Sequence, residues 1–237
     1  MARRRIRPPA AETDTSASEA LHTPLDRSRI MNAVIHLLQT EGLDALSMRK
    51  IADALGVKAA ALYYHIKDKD QLLRELAERI GSEAAFPDSD LPWQEQIRQW
   101  AMNFRTTLHR YRDSVRIMNA TFAASPHRMA HIEYLYKVLV EAGFPDAQVP
   151  WMAAMLKNQI YAFVDEESRL TDRAQRENAD MAGLGEAQAH RFESLPPDRY
   201  PHVTRLASYA TSVEWDREFR FGLDVLLAGF ESKWKQE

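Results

Sequence analysis

The chain contains no cysteine. That absence removes disulfides, thiolate metal sites, thiol redox sensing and cysteine nucleophiles together. No apolar run approaches the roughly 20 residues that span a bilayer as a helix. The opening Met1-Ala2-Arg3-Arg4-Arg5 has the charge of an export signal. No apolar stretch follows it, so export is not expected and a cytoplasmic location is. Without export, the Asn119-Ala120-Thr121 sequon carries no meaning. There is no nucleophile elbow, phosphate loop or HExxH motif, and Gly183-Leu184-Gly185 is too short for a dinucleotide fingerprint. An enzyme with a helical core therefore has little support. A large excess of one charge is also missing: the net charge is −3, which does not advertise a nucleic-acid binder. Distribution matters more than the total.

What is present is a globular composition. Hydrophobic residues make up 45% of 237, enough for a real core in one large or two smaller domains. Arg3, Arg4, Arg5 and Arg7 form a basic cluster at the start. Residues 1–24 are otherwise rich in Ala, Pro, Ser and Thr, so a disordered basic arm is expected there. Such an arm is either a solvated tail or a segment that follows a DNA backbone or enters its minor groove. Between 160 and 200, nine acidic residues stand against five basic ones. Positive charge is thus concentrated at the N-terminal end.

Residues 47–69, SMRKIADALGVKAAALYYHIKDK, are the most informative stretch. Ser47 can cap a helix, because its hydroxyl accepts from a free N–H of the first turn. Ile51 and Leu55 recur at helical spacing. Gly56 follows where a tight turn needs positive φ. Val57 plugs that turn, and a short second helix runs to about Ile66 with Leu62 and Ile66 inward. Ala59, Ala61, Tyr63, Tyr64 and His65 are left facing out. Small and aromatic-polar side chains on a short exposed helix suit a major groove. The alternative is a plain helical hairpin with the tyrosines in its core.

The stretch resembles the N-terminal domain of the tetracycline-repressor (TetR) family. The match runs from Leu25-Asp26-Arg27-Ser28-Arg29-Ile30 through Leu62-Tyr63-Tyr64-His65-Ile66-Lys67 to Leu72-Leu73. It returns in Phe221-Gly222-Leu223-Asp224 and Ala228-Gly229-Phe230-Glu231. The resemblance implies an all-α fold. It implies that residues 25–70 form a three-helix helix-turn-helix DNA-binding domain, and 71–237 a larger helical ligand-binding and dimerisation domain, entered through a connecting helix at 71–85. It implies DNA contacts from Arg49, Lys58, Ala59, Ala60, Ala61, Tyr63, Tyr64, His65 and Lys69, with Lys67 as a helper. Three consecutive alanines stand where family members use longer or polar side chains, so contacts to thymine methyls are expected and the operator sequence does not transfer.

Helical spacing predicts further helices at 93–111, near 115–122, from Pro126 to Glu141, and at 146–166. The polar residues 167–200 are expected to be mostly loop, with a short helix near 202–210 and a last helix at about 213–234. Phe86–Pro92 is the expected boundary. The last helix is more apolar than one covered surface requires, and Gly222, Ala228 and Gly229 allow close approach. The resemblance implies that it pairs with 146–166 and their copies in a homodimer. Met152, Met155, Phe219, Leu223, Leu226, Leu227 and Phe230 are the candidate interface residues. Packing on its own domain is the alternative.

The resemblance also implies a small-molecule pocket in the body, walled by Trp100, Phe104, Met118, Thr121, Leu135, Asn158, Tyr161 and Phe163, with Glu166 at its end; ordinary core is the alternative for each of them. Phe104, Thr121 and Glu166 match positions that hold magnesium–tetracycline in the family's namesake. Met118, however, stands in place of a metal-ligating histidine. Trp100, Leu135 and Asn158 replace polar or imidazole partners, and Ala85 another histidine. Magnesium wants hard oxygen ligands, which a thioether is not. The expectation is a hydrophobic, aromatic or polyketide-like effector, with Glu166 meeting a cationic or hydroxylated group, and no metal or other cofactor. His127 and His131, four apart, have no third ligand and are expected to be a solvated pair.

Overall fold

The protein is described here by a computed structural model covering residues 25–211 and 213–234. The basic arm expected over 1–24 lies outside these. The described residues form twelve helices: α1 (Arg27–Glu41), α2 (Met48–Leu55), α3 (Ala59–His65), α4 (Lys69–Glu83), α5 (Trp93–His109), α6 (Ser114–Ala120), α7 (Pro126–Glu141), α8 (Val149–Glu177), α9 (Met181–Glu193), α10 (Pro201–Arg205), α11 (Ala207–Ala210) and α12 (Trp215–Trp234).

Local chemistry sets the first four. Asp26 caps α1 by accepting from the Arg29 N–H at 2.7 Å. Ser47 caps α2 through the Lys50 N–H at 3.3 Å. Asp68 caps α4 through the Gln71 N–H at 2.6 Å. Each satisfies one donor that the helix itself cannot pair. Gly56 ends α2 with φ 68°, a conformation that costs a glycine little. The Val57 N–H then reaches back to the Ala52 carbonyl at 3.0 Å, and the chain turns straight into α3.

Ile30, Val34, Leu38, Ile51, Leu62 and Ile66 join one buried core with Leu72, Leu76 and Ile80 of α4. That core runs on into the body, because α4 also packs on α6 and α7. The head is clasped to the body a second time. Asp113, between α5 and α6, accepts from the Leu43 N–H at 2.8 Å. Arg116 of α6 donates to Asp44 at 2.6 Å.

The expected loop at 167–200 is mostly helix. Helix α8 continues to Glu177, and α9 occupies Met181–Glu193. The polar run after 166 is an exposed face held by i,i+4 pairs, Arg169–Asp165 and Arg173–Glu177, with Glu167 and Ala174 turned inward. No glycine or proline interrupts it, and Asn178 ends it in the left-handed region at φ 48°. Gly185 of α9 serves close packing: a Cβ there would lie 2.6 Å from the Thr211 carbonyl oxygen. The short helix expected near 202–210 is two, α10 and α11.

Candidate nucleic-acid interface and internal cavity

Helix α3 is anchored by Leu62 and Ile66, both buried. That pins its other face outward. Ala59, Ala60, Ala61, Tyr63 and Tyr64 are exposed and His65 is half-buried. Tyr64 is 89% exposed, with only the edge of the His65 ring beside it at 5.3 Å. A core role for these tyrosines is therefore ruled out. Arg49 on α2, Lys58 before α3 and Lys69 at the start of α4 are exposed on the same unit. Among the described residues, neither Arg49 nor Lys58 forms an ion pair, nor does Lys67. The unit thus offers small side chains for close approach, hydroxyls, and cations without partners.

The body holds a cavity of about 230 Å³ between α5, α7 and α8. Trp100, Phe104, Met118, Leu135 and Tyr161 line it. Trp100 and Phe104 stack at 5.4 Å and 14°, and Phe104 and Tyr161 lie nearly parallel at 6.4 Å and 12°. Thr121 sits just behind, its hydroxyl accepting from Arg128 at 2.6 Å. Asn158 and Glu166 do not reach the cavity: both are exposed on the outer side of α8. Phe163 does not line it either, its ring meeting Trp215 and Phe219 instead, so the set implied by resemblance took three positions of that helix from outside the cavity. The inward side at the corresponding turns carries Ala153, Lys157 and Tyr161.

Sequence reasoning missed Arg128 and His131, both buried and both lining the cavity. They sit in what reads as a polar first turn of α7. His131 is not half of a solvated pair. The Trp100 Nε1–H donates to its Nδ1 at 3.1 Å, and its Nε2 meets the Gly81 carbonyl oxygen of α4 at 2.8 Å. Nδ1 accepts, so Nε2 carries the proton and the ring is neutral. Burial pushes its pKa below the usual 6.5, and the Gly81 bond opposes that only in part. His127 instead faces Glu78 of α4, with Nδ1 at 2.6 Å from the carboxylate. Among the described residues, no three His, Asp or Glu side chains gather as a metal site.

The candidate interface residues also divide. Met152, Phe219, Leu223, Leu227 and Phe230 are buried inside the chain's own core, which leaves little of each for a partner. Arg105 explains part of this. Its guanidinium lies 4.8 Å from the Phe219 ring centroid and 5.2 Å from that of Phe163, drawing that side of α12 against α5 and α8. Met155 is exposed and Leu226 half-buried. Trp151, Phe221 and Val225 are exposed apolar side chains on the same two helices.

A family model described as the tetracyclin repressor-like C-terminal domain matches residues 86–234. Another, described as bacterial regulatory proteins of the tetR family, matches 30–76. This chain belongs to the TetR family. It is 31% identical over 212 residues to the class G tetracycline repressor protein of Vibrio anguillarum, covering 88% of this chain and 95% of that one. Among solved structures, ActR of Streptomyces coelicolor in complex with actinorhodin superposes with a TM-score of 0.79 at 28% identity, covering 89% of this chain and 97% of that one. TetR from Acinetobacter baumannii gives a TM-score of 0.68 at 28% identity, covering 89% and 99%. These relatives are transcriptional regulators, not enzymes. This TetR-family chain is a helix-turn-helix DNA-binding regulator with a ligand-responsive body. Among the described residues, no helix is long and apolar enough to cross a membrane.

Proposed function

We propose that this TetR-family regulator is a cytoplasmic repressor that binds a two-fold operator as a homodimer and leaves it when an aromatic small molecule fills the body cavity. The observation that carries this is the contact between the cavity wall and α4. His131 lines the cavity and holds the Gly81 carbonyl of the helix that carries the head. A molecule that shifts Trp100 or His131 acts on α4 directly. A constitutive binder needs only a solid body, and the cavity argues against it. The likeness to an actinorhodin-bound regulator supports an aromatic ligand.

In this reading α3 enters the major groove with Ala59, Ala60 and Ala61 against the bases. Arg49 takes a guanine or a phosphate, and Tyr63, Tyr64, His65, Lys58 and Lys69 fix the register. The exposed Trp151, Met155, Phe221 and Val225, with Leu226, supply the dimer face. That face sets the two copies of α3 one DNA turn apart, about 34–36 Å. Ligand and operator then weaken each other by the same factor.

Footprinting on the DNA upstream of the protein's own gene tests this. A protected inverted repeat, lost in Arg49→Ala and Tyr63→Ala proteins that remain folded, is expected. Protection that persists in both variants would assign DNA reading to another surface.

A further inference from the structure

The cavity has a charge balance that its aromatic walls conceal. Arg128 is 8% exposed and lines it. Its Nη2 donates to the Met118 carbonyl at 3.0 Å. Its Nη1 donates to the Thr121 hydroxyl at 2.6 Å and to the Thr121 and Phe122 carbonyls at 3.2 and 3.3 Å. All of these acceptors are neutral. The Met118 and Thr121 carbonyls close the C-terminal end of α6, where peptide dipoles lend a partial negative charge but no ion. Among the described residues, no carboxylate pairs with Arg128, and none lines the cavity.

A second cation, Lys157, stands on the exposed side of the same cavity, its Nζ 5.6 Å from the Tyr161 ring centroid. A buried guanidinium without a counter-charge is costly, and the cost falls when an anion reaches it. His131 is no competing receptor, because both its nitrogens are engaged. The Tyr161 phenol, pushed up to about 12 by burial, with Arg128 beside it opposing the shift, stays protonated as a further donor.

We infer that the cavity is a receptor for an aromatic acid, with Arg128 taking the carboxylate, Lys157 adding charge at the rim, and the rings of Trp100, Phe104 and Tyr161 flanking the aromatic part. The inference rests on the effector reading of the cavity given above and narrows it. A cationic ligand meets two like charges here, and a neutral one leaves Arg128 uncompensated. The site is also placed to signal. The Arg128 Cγ and backbone lie against Gly81 of α4, so that a Cβ on Gly81 would be 3.4 Å from that Cγ. An anion that draws on Arg128 acts on the end of α6 and on α4 together.

The test is calorimetric titration of the full-length protein at neutral pH with naphthoate and with naphthamide, its neutral counterpart of the same shape. Naphthoate is expected to bind at least roughly tenfold more tightly, equivalent to about 1.4 kcal/mol. Arg128→Gln should erase that difference while leaving naphthamide binding in place. Arg128→Lys keeps the charge and should keep the preference, which separates charge from fold if the glutamine variant is unstable. Lys157→Gln should lower the ratio by roughly twofold to threefold. Equal binding of the two compounds to the unaltered protein overturns the acid receptor but leaves the aromatic cavity standing. Binding of neither overturns both.

Discussion

Two arginines are buried in the body, and they are treated in opposite ways. Arg105 on α5 is met by carboxylates along its edge and by the rings of Phe163 and Phe219 on its faces. It donates to both oxygens of Glu167, from Nε at 3.0 Å and from Nη2, and from Nη1 to Asp216 at 2.7 Å. His109 closes the set at 2.7 Å from Glu167. The result ties α5, α8 and α12 together. Arg128, on α7, meets only neutral oxygens. The first arrangement is complete without a ligand, whereas the second carries a positive charge that, among the described residues, no carboxylate meets. Burial of a charge alone does not distinguish scaffold from site; the identity of its partners does.

The largest effect should come from breaking the complete set. Glu167→Gln keeps the shape and removes the charge, leaving Arg105 with an Asp216 whose side chain is 77% exposed. The expected loss is about 3–5 kcal/mol, measured as a shift of the urea midpoint at constant slope. A loss under about 1 kcal/mol would place the stabilisation of this region in the aromatic contacts of Arg105 rather than in its charges.

Acid should separate the two sides of the comparison next. Burial pushes the Glu167 carboxyl up, but hydrogen bonds from His109 and Arg105 outweigh it, and the group sits below the usual 4.5. Its contribution is therefore full above pH 4.5 and is lost as pH falls through its lower folded value. On the cavity side, His131 is held below 6.5 by burial. The Gly81 bond pulls it up, the neighbouring His127 pushes it down, and Glu78 pulls it up again. A depressed imidazole contributes stability that is full above pH 6.5 and is lost as pH falls below it, since protonation puts a second N–H against the Trp100 donor. Unfolding free energy, followed through the melting temperature, should therefore decline in two windows, each by at most about 1.4 kcal/mol per pH unit per group. His131→Gln should flatten the upper window only. A decline just below pH 6.5 that survives this change would assign it to another group.

How much of this was legible beforehand follows from where the signals lie. The head was readable because its determinants are local. Ser47, Gly56 and Asp68 act within a turn of where they stand, and the spacing of Ile51, Leu55, Leu62 and Ile66 fixes which face of α3 remains outside. The long α8 was not readable. A polar run carries the same composition whether it is a loop or the exposed side of a helix, and only the inward Glu167 and Ala174, which need α5 and α9 opposite them, decide. The cavity was half readable. Aromatic positions on α5 follow from periodicity, but Asn158 and Glu166 were placed inside for want of a rotation about α8. Arg128 and His131 were passed over because His127-Arg128 in a first turn reads as solvated. Their burial depends on α4, some fifty positions earlier, folding across them: His131 and Gly81 are 50 residues apart. The interface set divided for the same reason, with Met155 and Leu226 left outside and the other five turned inward, since one apolar helix has two apolar sides and the sequence does not say which faces home.

A third arginine supplies the lower end of the comparison. Arg116 is paired like Arg105 but stands at the surface, bridging Asp44 of the head and Asp113 of the body at 2.6 and 3.0 Å. Its hydrogen bonds to Asp44 and then Asp113 raise its pKa further, while Asp44 is lowered in turn. Solvent screens such pairs, so Arg116→Ala should cost at most about 1 kcal/mol of global stability. Its effect should appear instead in how firmly the head is held. The Leu43 N–H bond to Asp113 and the Gln39 bond to the Arg110 carbonyl remain, but the tie to Asp44 is gone, and local opening of α1 and α2 becomes easier while the core stays intact. Hydrogen exchange should show faster exchange of amides near Leu43 and Leu46, with those of α5 and α8 unchanged. Uniform acceleration across the protein would mean that this exposed pair supports the fold as a whole, and exposure would then no longer rank the three arginines.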